Sequence, residues 1–169
     1  VQEYVDGTEY TFRGVFDHGE PVATTLKELV RGIKYSRGAS VCHRAARVPE
    51  LEAYGLRLLE HLDWHGLASV GFILDGETGE PKLMEVNPRF WSNLPMDIQA
   101  GVDLPSHYWR VATGAAGSID SEYEVGATTH ILRGELVHLR SVCFEEYPLV
   151  DTPSISGTVS DILTSLYEH

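Results

Sequence analysis

Along residues 9–17 apolar side chains recur at every second position, with Tyr10, Phe12 and Phe16 on one face, which is the period of a half-buried strand. His18-Gly19-Glu20 then turns the chain into a partner strand over 21–28. Residues 1–6 read as a short strand ahead of this hairpin, with Gly7 as the break between them. After a less regular stretch holding Arg37-Gly38, residues 40–47 form another strand candidate. From Pro49, a good first helical residue, Leu51, Gly55, Leu58 and Leu62 keep helical spacing until Gly66 supplies the stop, so a helix packs on a sheet here. Strands over 67–75 and 81–87 are joined at Gly76-Glu77-Thr78-Gly79, whose glycines accommodate positive φ. Beyond Pro88 the pattern is helical near 94–100 and 105–113, then passes through a Gly/Ser-containing linker at 114–118. A strand near 127–132 and helices near 135–144 and 158–168 complete the chain, with no internal repeat. The order predicts an α+β fold, an antiparallel sheet with helices packed mainly on one face.

Composition narrows this picture. A chain of 169 residues with 43% hydrophobic content buries one core, with little left for a second domain. No apolar run approaches the ~20 residues of a membrane span, and the N-terminus has neither the basic nor the apolar region of a signal peptide. The net charge of -12 argues against a nucleic-acid partner, and a phosphate-bearing ligand would need local help from a cation. Cys42 and Cys143 lack Cys-x-x-Cys spacing, which speaks against a disulfide framework or a zinc knuckle and for a reducing cytoplasm. Because the chain starts at Val1, inside what reads as a strand, it is expected to be a piece of something longer.

The chemistry concentrates in Met84 to Trp91, MEVNPRFW. Strand residues two apart point the same way and sit ~7 Å apart, so Glu85 and Asn87 offer two oxygen ligands on one face. Magnesium takes a few carboxylate and carbonyl oxygens and completes its octahedron with water and substrate phosphate. Pro88 ends the strand, which sets Arg89 close to whatever anion the metal holds, where a guanidinium stabilises charge on a transferring phosphoryl group. His43, His61 and His65 have no acidic partner at a metal spacing and read as surface or packing residues. Trp91 and Trp109 either line a substrate pocket or belong to the core. Ser92 and Cys143 have no evident base, so covalent catalysis is not expected.

Glu-Val-Asn-Pro-Arg after a strand, with another strand before it across a Gly-rich turn, resembles the metal-binding signature of the ATP-grasp superfamily, closest to the carbamoyl phosphate synthase large-subunit branch. Upstream, VQEYVDGTE resembles that family's hinge strand, which implies Glu3, Tyr4 and Val5 against adenine and Glu9 against the ribose. Arg37-Gly38 is similar to a stretch near the phosphates, and the resemblance further implies Ile73 and Met84 as adenine contacts, although strict alternation turns Met84 away from Glu85. It covers residues 1–114 as the C-terminal subdomain of an ATP-grasp domain, with 115–169 as a mixed helix and strand extension.

The resemblance implies ATP with magnesium or manganese, a small carboxylate or bicarbonate, and an amine or ammonia, joined through an acyl or carboxy phosphate. Two departures matter. The family's second strand-borne metal ligand falls on Gly71, which has no side chain to ligate with, and Asp75 lies ~13 Å further along the strand. The lysines and glycine-rich loop of a preceding subdomain have no counterpart in this sequence, so the fragment alone is expected to be inactive. The alternative is a nucleotide-binding or sensing module of the same fold without catalysis.

Overall fold

A computed structural model describes residues 3–35, 37–115, 122–147 and 151–167, with the side chains of Arg37 and Gly38 outside the description. Six strands form one antiparallel sheet in the order β5-β4-β1-β2-β3-β6. They are β1 (Gly7–Asp17), β2 (Glu20–Lys34), β3 (Arg37–Ala45), β4 (Gly66–Asp75), β5 (Pro81–Asn87) and β6 (Thr128–His130). The helices are α1 (Pro49–His61), α2 (Leu94–Gln99), α3 (Leu104–Ala112), α4 (Leu132–Phe144) and α5 (Ile155–Tyr167). The α+β class and the antiparallel sheet are those expected.

The β1–β2 hairpin closes through His18 and Gly19, both at positive φ (48° and 81°), the conformation that matches the twist of the flanking strands. Residues 3–6 are not a strand, and Gly7 opens β1 instead of breaking the chain. The segment meets the sheet through Asp6, whose carbonyl accepts from Gly76 N at 2.9 Å. Helix α1 also ends earlier than Gly66: Leu62 caps it and Asp63 (φ 47°) reverses the chain, while Gly66 begins β4. A helical pattern carried on to Leu62 because that residue keeps the apolar spacing, yet it is exposed.

Alternation divides the sheet into two faces. Phe12, Phe16, Leu26, Ala68, Val70 and Phe72 pack under α1 with Leu51 and Leu59. On the other face Val15, Ala23 and Leu67 meet Leu104 and Val111 of α3, and Ala45 meets Met96 and Ala100 by α2. At the β2–β3 edge Arg31 grips Glu135 of α4 through two bonds of 3.0 Å and Ser165 of α5 through one of 2.7 Å.

Gly55 lets α1 sit down on the sheet: a Cβ there would lie 2.2 Å from Phe12 Cδ1. Alanine gains ~1 kcal/mol of helix propensity over glycine, whereas overpacking a core costs ~1–3 kcal/mol. Gly55→Ala should therefore lower the stability measured by urea denaturation, against its propensity.

Candidate functional site

The register of the strands builds the site. Ala45, Lys27, Thr11, Gly71 and Glu85 pair successively across β3, β2, β1, β4 and β5. The neighbouring row runs Thr25, Arg13, Ser69, Asn87. Glu9 pairs with Ile73 one row further on. Paired residues of an antiparallel sheet share a face, so these side chains all belong to the face opposite α1. Helix α3 covers that face around Val15, Ala23 and Leu67, and α2 covers it at Ala45 beside Lys27. Thr11, Gly71 and Ser69 are small, and this strip of short side chains, called the trough below, runs from exposed Glu85 and half-buried Asn87 to Lys27, which is buried.

Glu85 is exposed and Asn87 half-buried, and Asn87 Nδ2 donates to Glu85 Oε1 at 2.7 Å. The two expected metal ligands thus share one exposed face. Arg89 lies beyond them, exposed, donating to the Phe90 carbonyl at 3.3 Å. The register slips between Gly71 and Phe72, which pair with Glu85 and Leu83, so Met84 is the extra residue of a bulge. A Cβ placed on Gly71 would stand 3.4 Å from Glu85 Cγ and 3.7 Å from Met84 Cβ. Met84 therefore shares the side of Glu85, contrary to strict alternation. Ile73 is on the same face and buried.

Of the hinge residues, Glu3 and Tyr4 are exposed and Val5 is half-buried, in extended chain that leads into β1. Glu9 lines a cleft of about 600 Å³ between β1, β2 and α5, together with Glu28, Arg31, His138, Thr158 and Asp161. That volume is within the ~300–1,000 Å³ of small-molecule sites. Arg37 falls in β3, but its side chain lies outside the described residues. Trp109 is 65% exposed and not core, whereas Trp91 is half-buried.

The segment after Asn87 is tied to the sheet by charge. Arg13 Nη1 donates to Asp97 Oδ2 at 2.8 Å and Arg13 Nη2 to Asn93 Oδ1 at 2.6 Å. Thr25 donates to the other Asp97 oxygen, and Trp91 Nε1 donates to Oδ2 at 2.7 Å while its ring stacks on the guanidinium. Burial pulls Arg13 down to about 10, against the pull of Asp97. None of this was visible in the sequence, because Arg13 and Asp97 lie 84 residues apart.

Lys27 and His43 were also missed as site residues. Both are buried, and Lys27 Nζ is 3.3 Å from His43 Nδ1. Burial, with the Arg13 charge behind it, brings the Lys27 amine down to about 6. Burial and the Lys27 charge hold the His43 imidazole well below its usual range. His65 does have an acidic neighbour, Asp17 at 3.1 Å, and stacks on His18 at the exposed hairpin end. A second group, Cys42, His130 and Glu135, is committed elsewhere: Glu135 binds Arg31 and His130, and the other His130 nitrogen meets the Ser165 carbonyl.

Residues 1–133 match a family model described as ATP-grasp in the biosynthetic pathway with Ter operon. A D-alanine–D-alanine ligase of Acetivibrio thermocellus is 30% identical over 106 residues, 54% of this chain and 28% of the ligase. The chain thus spans under a third of that relative. Among solved structures, the multifunctional pyruvate carboxylase of Rhizobium etli superposes with a TM-score of 0.55 at 23% identity, over 67% of this chain and 12% of that one. The biotin carboxylase domain of Hydrogenobacter thermophilus 2-oxoglutarate carboxylase, solved with MgADP, ADP and bicarbonate, gives 0.56 at 17% identity, over 74% of this chain and 29% of that one. These two share the fold.

Lys27 makes stability depend on pH in a defined window. Its folded value, about 6, lies below the ordinary 10.5, so between them the unfolded chain holds a proton that the folded chain does not. Stability contributed at high pH is lost as pH falls from 10.5 toward 6. Denaturant titrations of the wild type and of Lys27→Met across this range should show the variant with the flatter profile and the greater stability at neutral pH.

Proposed function

The chain belongs to the ATP-grasp family, and from that premise we propose that it forms the metal-binding half of the site in an ATP-dependent ligase or carboxylase. The observation that carries this reading is the placement of Glu85 and Asn87 on one exposed face, joined at 2.7 Å, with Arg89 just beyond. Their donor set fits a hard cation of the magnesium or manganese class, since carboxylate and amide oxygens are what such ions take. The Asn87 amide would turn its oxygen to the ion in place of the nitrogen it now offers Glu85. Bound there, the metal neutralises charge on the phosphates.

The chain's own residues would do the rest. Glu9 accepts from the ribose hydroxyls, and Met84 and Ile73 lie on the face where the base would rest, with Glu3, Tyr4 and Val5 leading past its edge. Arg37 is assigned to the phosphates by resemblance. Arg89 stabilises charge as a carboxylate or bicarbonate oxygen attacks the γ-phosphorus, breaks its bond to the bridging oxygen and releases ADP. An amine or ammonia then attacks the acyl carbon, expels phosphate and loses a proton, as in a carbamoyl phosphate synthase-like ligase. The site lies in residues 1–114, and of the remaining chain α4 packs against β2, β3 and α5. No helix among the described residues is long and apolar enough to cross a membrane. Two free thiols, Cys42 and Cys143, suit a reducing cytoplasm.

Gly71 favours a second reading, a nucleotide-binding or sensing module without catalysis, because it forgoes a metal ligand. ADP release from MgATP by the full-length protein, offered amino acids or bicarbonate with ammonia, separates the two. Acceptor-dependent release supports the ligase, and nucleotide binding without it supports the sensor. In the ligase case Glu85→Gln should cut turnover by ~10²-fold or more. Gly71→Glu has room, since the added Cβ meets Glu85 Cγ at an ordinary 3.4 Å. It should lower the magnesium concentration at half-maximal rate by ~10-fold through one more oxygen ligand.

A further inference from the structure

Three buried side-chain nitrogens on the trough side of the sheet go unpaired. Arg13 Nε, Asn93 Nδ2 and His43 Nε2 are buried without a hydrogen-bond partner. Arg13 is 1% exposed, His43 1% and Asn93 6%, so bulk water does not satisfy them. Native interiors pair nearly all such groups, and an unpaired one points to a missing partner. The three are contiguous: Arg13 holds Asn93 at 2.6 Å, and the charge of Arg13 acts on both His43 and Lys27.

Lys27, itself buried, adds a further polar nitrogen at the β2 end of the strip. Its hydrogen-bond partner among the described residues is an imidazole, not a carboxylate. Asp97, the buried acid nearby, already accepts from Arg13, Thr25 and Trp91. The groups facing Lys27 are thus Arg13 and Glu9 from β1, His43 from β3 and Asp97 from α2. Glu9 and Asp97 favour the charged amine, but burial and the Arg13 charge outweigh them, and the amine itself meets an imidazole nitrogen.

We propose that Lys27, with the donors of Arg13, His43 and Asn93 behind it, forms a seat for an oxyanion at the opposite end of the trough from Glu85 and Asn87. Lys27 and Glu85 stand in one cross-strand row, three inter-strand steps or about 14 Å apart along the backbone, so the seat is separate from the cation's place. A carboxylate and a phosphate share the required chemistry, and both occur among the reactants of the ligase reading, on which the choice of source rests. An arriving oxyanion supplies the counter-charge that burial denies the amine. Lys27, neutral above pH of about 6, then takes a proton from solvent as the anion binds.

The test is calorimetric titration of the 169-residue chain at pH 7.5 with acetate in one arm and inorganic pyrophosphate in the other, each in two buffers of different ionisation enthalpy. One arm should bind with uptake approaching one proton per anion, acetate assigning the seat to the acceptor and pyrophosphate to the nucleotide. Lys27→Met should abolish the uptake and weaken binding ~10-fold or more, the scale of a hydrogen bond to a charged group. Binding in neither arm, binding without proton uptake, or uptake unchanged in the variant would overturn the seat. Should the variant fail to fold, the wild type decides: uptake must fall away as pH drops below about 6, where the amine is already charged. The seat and the ligase reading fail separately. ADP release without anion-linked uptake removes only the seat, and uptake without ADP release removes only the ligase.

Discussion

A guanidinium stranded in an apolar interior is untenable, and Arg13, in the middle strand of the sheet's long antiparallel stack, is kept there by Asp97. Removing one member of such a pair leaves an uncompensated buried charge at ~3–5 kcal/mol. The pair also has a directional role, because the residues bonded around Arg13 come from three other segments. Thr25 belongs to β2, Trp91 and Asn93 to the stretch behind the signature, and Asp97 to α2. The residues that follow Asn87 are therefore fixed to the centre of the sheet by hydrogen bonds, and Arg89 is presented from a segment anchored on its C-terminal side. A purely hydrophobic contact would bury the same area without setting that orientation.

Charge on the molecule is divided unevenly. The chain carries a net -12, which repels a polyanionic nucleotide at long range, though screening confines that repulsion to ~8 Å at physiological salt. On the trough face Arg13 and Lys27 stand toward one end, with Asp97 and Glu9 acting on them, and Glu85 stands at the other. In the ligase reading, a cation at Glu85 and a proton at Lys27 would be two ways of supplying positive charge to an anionic ligand. The protein supplies neither permanently, which keeps the empty face free of a large uncompensated charge.

Most of the fold could be read from alternation. The β1–β2 and β4–β5 hairpins, the Pro49 helix start and the signature strand stand where period and turn chemistry put them, because each is decided by residues a few positions apart. What escaped depends on distant partners. The extension of β2 to Lys34 relies on pairing with β3 and on Glu135 holding Arg31, neither of which leaves a local pattern. Residues 3–6 look like a strand but lie outside the sheet ladder, and Gly76 bonds to the Asp6 carbonyl. The bulge at Met84 is invisible in a sequence that alternates normally, yet it decides which side chains face the site. Lys27 and His43 looked unremarkable as isolated polar residues, and only burial against each other gives them chemistry.

Gly71 gains a second meaning from that bulge. By placing Met84 and Glu85 on the same side of β5, the extra residue brings both to ordinary van der Waals distance of a Cβ at position 71. Any longer side chain there would lie along the trough, over the small residues Thr11 and Ser69. A carboxylate at 71 would bring a second negative charge beside Glu85, and without a bound cation the two would repel. Glycine gives up one oxygen ligand, but it keeps position 71 of the trough free of a long side chain and leaves Glu85 without a like-charged neighbour across the strand. In the ligase reading, the cost to metal affinity and the space above position 71 come from the same missing side chain, and a ligand that engaged both ends would recover through Lys27 part of what is lost at the metal.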